Sequence, residues 1–168
     1  MNGSVSPLDR VFASLAYLMP LSSAYIAGGY FLQFLATNAP PLSDALNIIM
    51  TPLIPFILLD NSIFGIAIFF GLFIFVVRNT NISRFIRYNV LQGLLVSILI
   101  SISMLIIRML GLGSIALIGE SLMNVLFLGG MGIVVYGVFQ SVRGEYAEIP
   151  TISEAIYMRL PYEVSRVL

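Results

Sequence analysis

Residues 89–107 read Asn-Val-Leu-Gln-Gly-Leu-Leu-Val-Ser-Ile-Leu-Ile-Ser-Ile-Ser-Met-Leu-Ile-Ile, without one charged side chain. At the helix rise this stretch is about 28 Å long, close to the roughly 30 Å hydrocarbon thickness of a bilayer. The rest of the chain has the same character. Of 168 residues, 59% are hydrophobic and 10% charged, and the mean hydropathy is +1.01. Soluble domains carry about 25% charge, and a soluble globule of this size has too little interior to hide so much apolar surface. A soluble enzyme and a disordered chain are excluded. The fold class that follows is an all-α integral membrane protein.

Three further stretches are long enough to cross. The first runs from Val11 to about Phe34, with a kink expected at Pro20. Another runs from about Phe56 to Val77, because counted only from Ile63 it would fall short of the bilayer. The last spans Leu122 to Phe139. The expected layout is a single membrane domain over 1–168 with spans at 11–34, 56–77, 89–107 and 122–139. Between the first two, residues 42–59 read as an interfacial helix capped by Ser43 and broken by Pro52 and Pro55, followed by a re-entrant piece. After the last span comes a polar tail, 141–168. In it, Thr151 and Glu154 form a capping box for a short amphipathic helix (Ile152, Ile156, Leu160) expected on the membrane surface.

Charge fixes the count of crossings. With four spans, Arg10, Arg78, Arg84, Arg87, Arg143, Arg159 and Arg166 share one side and Arg108 stands alone on the other. This asymmetry places both termini in the cytoplasm, or in the stroma of a plastid. A fully spanning 42–59 would spoil it. Met1–Asp9 lacks the Arg- and Ser-rich character of a transit peptide, and the apolar run after it is too long for a cleaved signal.

The chain has no Cys, His, Trp or Lys, and its net charge is zero. Without thiols or imidazoles, the usual nucleophiles, neutral-pH bases and metal ligands are missing, so neither an enzyme nor a cofactor is expected. Zero net charge argues against nucleic acid as a partner. The partners expected are the lipid bilayer and other membrane subunits or further copies of the chain.

Three groups of side chains are candidates for function. Asn89, Gly93, Ser97 and Ser101, with Gln92 beside them, form a small and polar stripe on the third span. Asn124, Gly132, Tyr136 and Gln140 repeat the pattern on the fourth. Such stripes pack helices or line a conduit, and two on adjacent spans are expected to face each other. Ile100 is expected on the outward face. Arg78, Arg84 and Arg87 cluster before the third span, where they suit lipid headgroups or an acidic partner. Asp60 is the one carboxylate at the membrane edge. Asp60-Asn61-Ser62 reads either as an N-cap cluster or as an ion site.

Two longer motifs carry a resemblance. Phe75-Val-Val-Arg-Asn79, Ile82-Ser-Arg-Phe-Ile-Arg-Tyr-Asn89 and Gln92 resemble the signature of the Tic20 family. So do Tyr136-Gly-Val-Phe-Gln-Ser-Val-Arg-Gly144, Glu148-Ile-Pro150 and Ile152-Ser-Glu-Ala-Ile-Tyr157, together with Tyr17-Leu-Met-Pro-Leu21 and Phe64-Gly65. The resemblance covers roughly Leu8 to Met158. It implies a four-helix subunit of a protein-translocation or membrane-protein assembly complex, with a translocating preprotein as a further partner. The implied location is a cyanobacterial plasma or thylakoid membrane, or the plastid inner envelope, and the absence of Lys favours a cyanobacterial member. It supplies no settled catalytic or pore-lining residues. The alternatives are a small-molecule or ion transporter and a structural subunit of a photosynthetic or other membrane complex.

Overall fold

The structure, a computed structural model, describes residues 5–150 and 152–160, without the side chains of 116 and 159. Among the described residues there are nine α-helices: α1 Pro7–Leu15, α2 Leu18–Ala27, α3 Gly29–Asn38, α4 Pro40–Met50, α5 Ile54–Asp60, α6 Ile63–Gly71, α7 Arg84–Met109, α8 Ala116–Arg143 and α9 Ile152–Arg159. No strand occurs among the described residues. Local signals explain several boundaries. Ser6 caps α1 by accepting from Asp9 N at 3.1 Å, with Pro7 in the first turn. Ser83 caps α7 through Ile86 N at 3.4 Å. Gly144, in the left-handed conformation (φ 78°), closes α8.

Pro40–Asp60, Arg84–Met109 and Leu117–Arg143 are each long and apolar enough to cross a membrane, and the bent pair Pro7–Ala27 plus Gly29–Asn38 qualifies as one further span. The outer surface suits hydrocarbon: Ile48, Ile63, Phe75, Leu117 and Val125 are all exposed. This is an all-α membrane protein.

Its centre is three helices deep. α1 and α2 share a direction with α7, since Tyr17 meets Asn89 and Gln92 while Ser23 meets Ser97. α8 runs the other way: Gly137 abuts Tyr17, Gly130 abuts Ala24 and Ile100, and Phe127 abuts Gly28. Five arginines collect at one end. Arg10 reaches the Val142 carbonyl, Arg87 the Val77 carbonyl beside Arg78, and Arg84 the Leu160 carbonyl, with Arg143 next to Val142. Arg108 lies in the last turn of α7, at the opposite end.

Several expectations are corrected. The chain does not bend sharply at Pro20. The helix pauses at Ala16–Tyr17, one turn earlier, where proline's missing N–H leaves the carbonyl four residues back without its partner. The large bend, 67°, comes at Gly28, whose φ of −75° any residue adopts. Glycine is required there for space, because a Cβ would sit 2.5 Å from the Phe127 ring.

Residues 42–59 are not broken at Pro52 and Pro55. Each proline falls in the first turn of a helical piece, Pro52 in the 3-10 turn Thr51–Leu53 and Pro55 in α5, so little is lost and Pro40–Asp60 continues as one helix. The break falls inside the expected 56–77 span instead, at Asn61–Ser62. Beyond it, α6 passes into a π-helical turn, Leu72–Val77. Pro40–Asp60 crosses α2 obliquely. It puts Met50 into a cluster with Tyr17, Leu21 and Val134, and lays Asn61 on Ser22. By the helix rise, about 16 Å of this helix lies across about 8 Å of α2.

The tail is the last correction. Its helix, α9, does not turn its apolar side to a membrane surface. Ile156 and Leu160 are buried in a core with Tyr88, Leu91 and Leu94 of α7. The expected capping box falls on Thr151, outside the described residues; Ser153 Oγ instead accepts from Ile149 N at 2.7 Å.

Candidate functional site

Two polar sites lie inside the bundle. One, at the Arg-rich end, is closed. The Tyr17 hydroxyl donates toward Asn89 Oδ1 (3.0 Å) and Gln92 Oε1 (3.2 Å), and Ser141 Oγ donates to the same Asn89 oxygen at 3.1 Å. Asn89 Nδ2 returns to the Phe85 carbonyl, 2.8 Å away. Gln92 Nε2 donates to the Ala147 carbonyl at 2.9 Å, and the Tyr88 hydroxyl lies within hydrogen-bond reach of that carbonyl and of Ser153 Oγ, at 3.2 and 2.9 Å. Asn89 and Gln92 are fully buried. The network stitches the start of α2, α7, α8 and the tail together, so it fastens the bundle. Tyr17, Tyr88 and Ser153 stand in the sequence only within the family-like motifs, with no role assigned to them. The usable signal was two tyrosines in otherwise aliphatic surroundings, whose hydroxyls need partners when buried.

Gly93 lies just below. A Cβ there would stand 2.5 Å from the Ala16 carbonyl oxygen, so α7 and the α1–α2 junction touch backbone to backbone. Ser97 pairs with Ser23 at 2.7 Å.

The second site begins there, and it is open. A cavity of about 430 Å³ lies between α2, α6 and α7. Asp60, Asn61, Ser62, Ser23, Ser97 and Ser101 supply its polar lining, and Ile66, Phe70, Ile98 and Ile102 its apolar lining. Ser101, Ile66, Phe70 and Ile102 are exposed, so the cavity opens on the outer surface of the bundle. The N-cap reading of the Asp60-Asn61-Ser62 cluster holds at Ser62 and fails at Asp60. The cap of α6 is Ser62, whose Oγ accepts from Phe64 N at 3.2 Å. Asp60 is the last residue of α5. A carboxylate there meets the negative end of that helix, which is the unfavourable end. Asn61 anchors the turn by donating to Ser22 Oγ (2.8 Å) and to the Ile57 carbonyl (2.9 Å).

The stripe on α8 is not brought against the stripe on α7. Gly132 and Tyr136 are exposed, and nothing lies within 4 Å of a Cβ at Gly132. Gln140 and Asn124 are half-buried, and Asn124 Oδ1 has no hydrogen-bond partner among the described residues. The face of α8 that meets its neighbours carries Phe127, Gly130, Val134, Gly137 and Ser141. Ile100, expected to face outward, is buried against Ala24 and Gly130.

The arginines divide as well. Arg78 is exposed. Arg87 Nε donates to the Val77 carbonyl at 2.8 Å and Arg84 Nη2 to the Leu160 carbonyl at 3.0 Å, where a cation at a helix C-terminus is favourable. Both side chains are half-buried, so each contact is discounted for solvent screening to about 1 kcal/mol. Replacing both by Gln should lower the melting temperature in detergent by about 5 °C, while Arg78→Gln leaves it unchanged. Equal melting of all three proteins would return the whole cluster to a headgroup role.

Among the described residues no group of three His, Cys, Asp or Glu is placed to hold a metal ion.

Comparison with known proteins agrees with the fold. The family model described as "Chloroplast import apparatus Tic20-like" matches residues 8–156. A "Tic20 family protein" of Synechocystis sp. is 38% identical over 168 residues, covering 96% of this chain and 98% of its own. "Protein TIC 20-II, chloroplastic" of Arabidopsis thaliana is 29% identical, with 88% and 70% covered. "Tic20 family protein Ycf60" of Porphyra purpurea is 27% identical, with 90% and 75% covered.

Proposed function

The chain belongs to the Tic20 family, and on that footing we propose that it is a non-enzymatic membrane subunit of a complex that translocates proteins across a membrane or assembles them within it. The observation that carries the reading is the match over residues 8–156 to a family described by protein import. The open cavity supports it. Irregular backbone at membrane depth is confined to protein interiors and cavity linings, and the Asn61–Ser62 break lines the cavity between α2, α6 and α7. In this reading α1–α2, α7 and α8 each cross the bilayer. The remaining crossing is composite: α3 to α5 bring the chain to mid-depth, and α6 with the π-turn carries it to the Arg-rich face. Both termini then share the cytoplasmic or stromal side.

The test is affinity purification of the intact protein from its native membrane, with reporter fusions at each end of the chain. Other membrane subunits and precursor polypeptides should co-purify, and both reporters should indicate the same, Arg-rich side. A lone homo-oligomer that conducts ions or small solutes would overturn the reading in favour of a transporter. Reporters on opposite sides would overturn the four crossings.

A further inference from the structure

Resting on that reading, we propose that the open cavity at Asp60 receives the basic side chain of a membrane-spanning segment of a client protein. The depth of the cavity comes first. Ser97 lies midway along the 26-residue α7, about 20 Å from either end by the helix rise. Asp60 and Ser101 line the same cavity as Ser97 and Ser23, so the carboxylate stands near the middle of the bilayer. An ionisable group at that depth is costly and marks a functional position. Ordinary explanations for its presence fail. It caps no helix, it meets the unfavourable end of α5, its hydrogen-bond partner Ser22 is neutral, and among the described residues no basic side chain lines the cavity.

The cavity's shape selects the occupant. Its inner wall carries hydroxyls and the carboxylate, while Ile66, Phe70 and Ile102 sit exposed at its mouth. A bare metal cation needs several converging oxygens, and an apolar mouth offers it nothing. An apolar helix with one Arg or Lys near its middle satisfies both parts. Its body replaces lipid against the mouth, and its cation, equally costly in hydrocarbon, meets the carboxylate.

The experiment uses the full chain in liposomes, with a photo-crosslinking residue replacing Ile66. The probes are synthetic apolar peptides of about 20 residues, identical except for a central Arg or a central Leu. The Arg peptide should crosslink about tenfold more than the Leu peptide. Asp60→Asn should abolish that preference, and Asp60→Glu should restore it. Asp60→Asn should also melt at or above the wild-type temperature, since it removes an intramembrane charge that faces no cation in the cavity while the amide can keep the Ser22 contact. Equal capture of the two peptides by wild type, or an Arg preference that survives Asp60→Asn, would overturn the proposal. So would Asp60→Asn melting well below wild type, which would make the carboxylate a structural tie. Loss of the preference in sodium chloride but not in choline chloride of equal ionic strength would assign the site to a small cation instead. Native membranes separate the two readings. Absence of precursors from the wild-type purification defeats the proposed function, whereas equal precursor recovery with wild type and Asp60→Asn defeats only this inference.

Discussion

Gly93→Leu should lower the melting temperature in detergent by about 10 °C, corresponding to about 3 kcal/mol, while Gly132→Leu stays within about 2 °C of wild type. The two glycines look alike in sequence, each within a small and polar stripe of an apolar helix. Their surroundings differ completely. At Gly93 even a Cβ would lie 2.5 Å from the Ala16 carbonyl oxygen, and backbone cannot rotate away as a flexible side-chain tip does. Pro20 Cδ, 3.7 Å from that Cβ, is in ordinary contact and leaves a larger side chain no free space on that side. A leucine therefore drives α7 off the α1–α2 junction and stretches the Tyr17 contacts with Asn89 and Gln92. At Gly132 nothing lies within 4 Å, and a leucine adds one more apolar side chain to an apolar surface. Leu99→Val, on the exposed side of α7, is the control for simple volume change. If Gly93→Leu and Gly132→Leu melt together, the contact between α7 and the α1–α2 junction at Ala16–Tyr17 is not what holds the bundle.

What could be read from the sequence depended on the kind of signal. Apolar length and the arginine distribution are properties of whole segments, and they led to an all-α membrane protein whose arginines collect at one end. The stripe on α7 was also legible, because an amide and small residues repeating every four positions require protein neighbours. Three features were hidden. Pro52 and Pro55 look like breakers, yet each falls in a first helical turn where its missing N–H costs little, and nothing in composition shows that register. The direction of the α8 stripe depends on helix rotation, which a nearly uniform apolar helix does not encode; Gly129, Gly130 and Gly132 differ only in which one meets Ala24. The depth of Asp60 depends on the oblique course of Pro40–Asp60 across α2, a tertiary fact. The tail misled for a related reason. An amphipathic pattern shows that an apolar side is buried without showing whether lipid or protein buries it.

Truncation after Arg143 should therefore abolish a monodisperse folded protein in detergent, an outcome opposite to that for a tail resting on lipid. The tail supplies two things that the rest of the chain does not replace. Ile156 and Leu160 are nearly fully buried against Tyr88, Leu91 and Leu94, and each is worth about 1.5–3 kcal/mol of burial. The Ala147 carbonyl is the acceptor for Gln92 Nε2 and, with Ser153, lies opposite the Tyr88 hydroxyl. Removing it strands a buried amide and a buried hydroxyl, at about 1–3 kcal/mol each. Those losses together rival the whole stability of an ordinary domain. Gln92→Leu isolates the polar share, since it keeps the tail while depriving Ala147 and Tyr17 of a partner, and it should cost about 2 kcal/mol, roughly 6 °C. Size-exclusion profiles and melting curves of the two variants decide the matter. A truncated protein that stays monodisperse and melts within a few degrees of the full chain would show that α9 is peripheral, and Gln92→Leu would then be expected to melt like wild type.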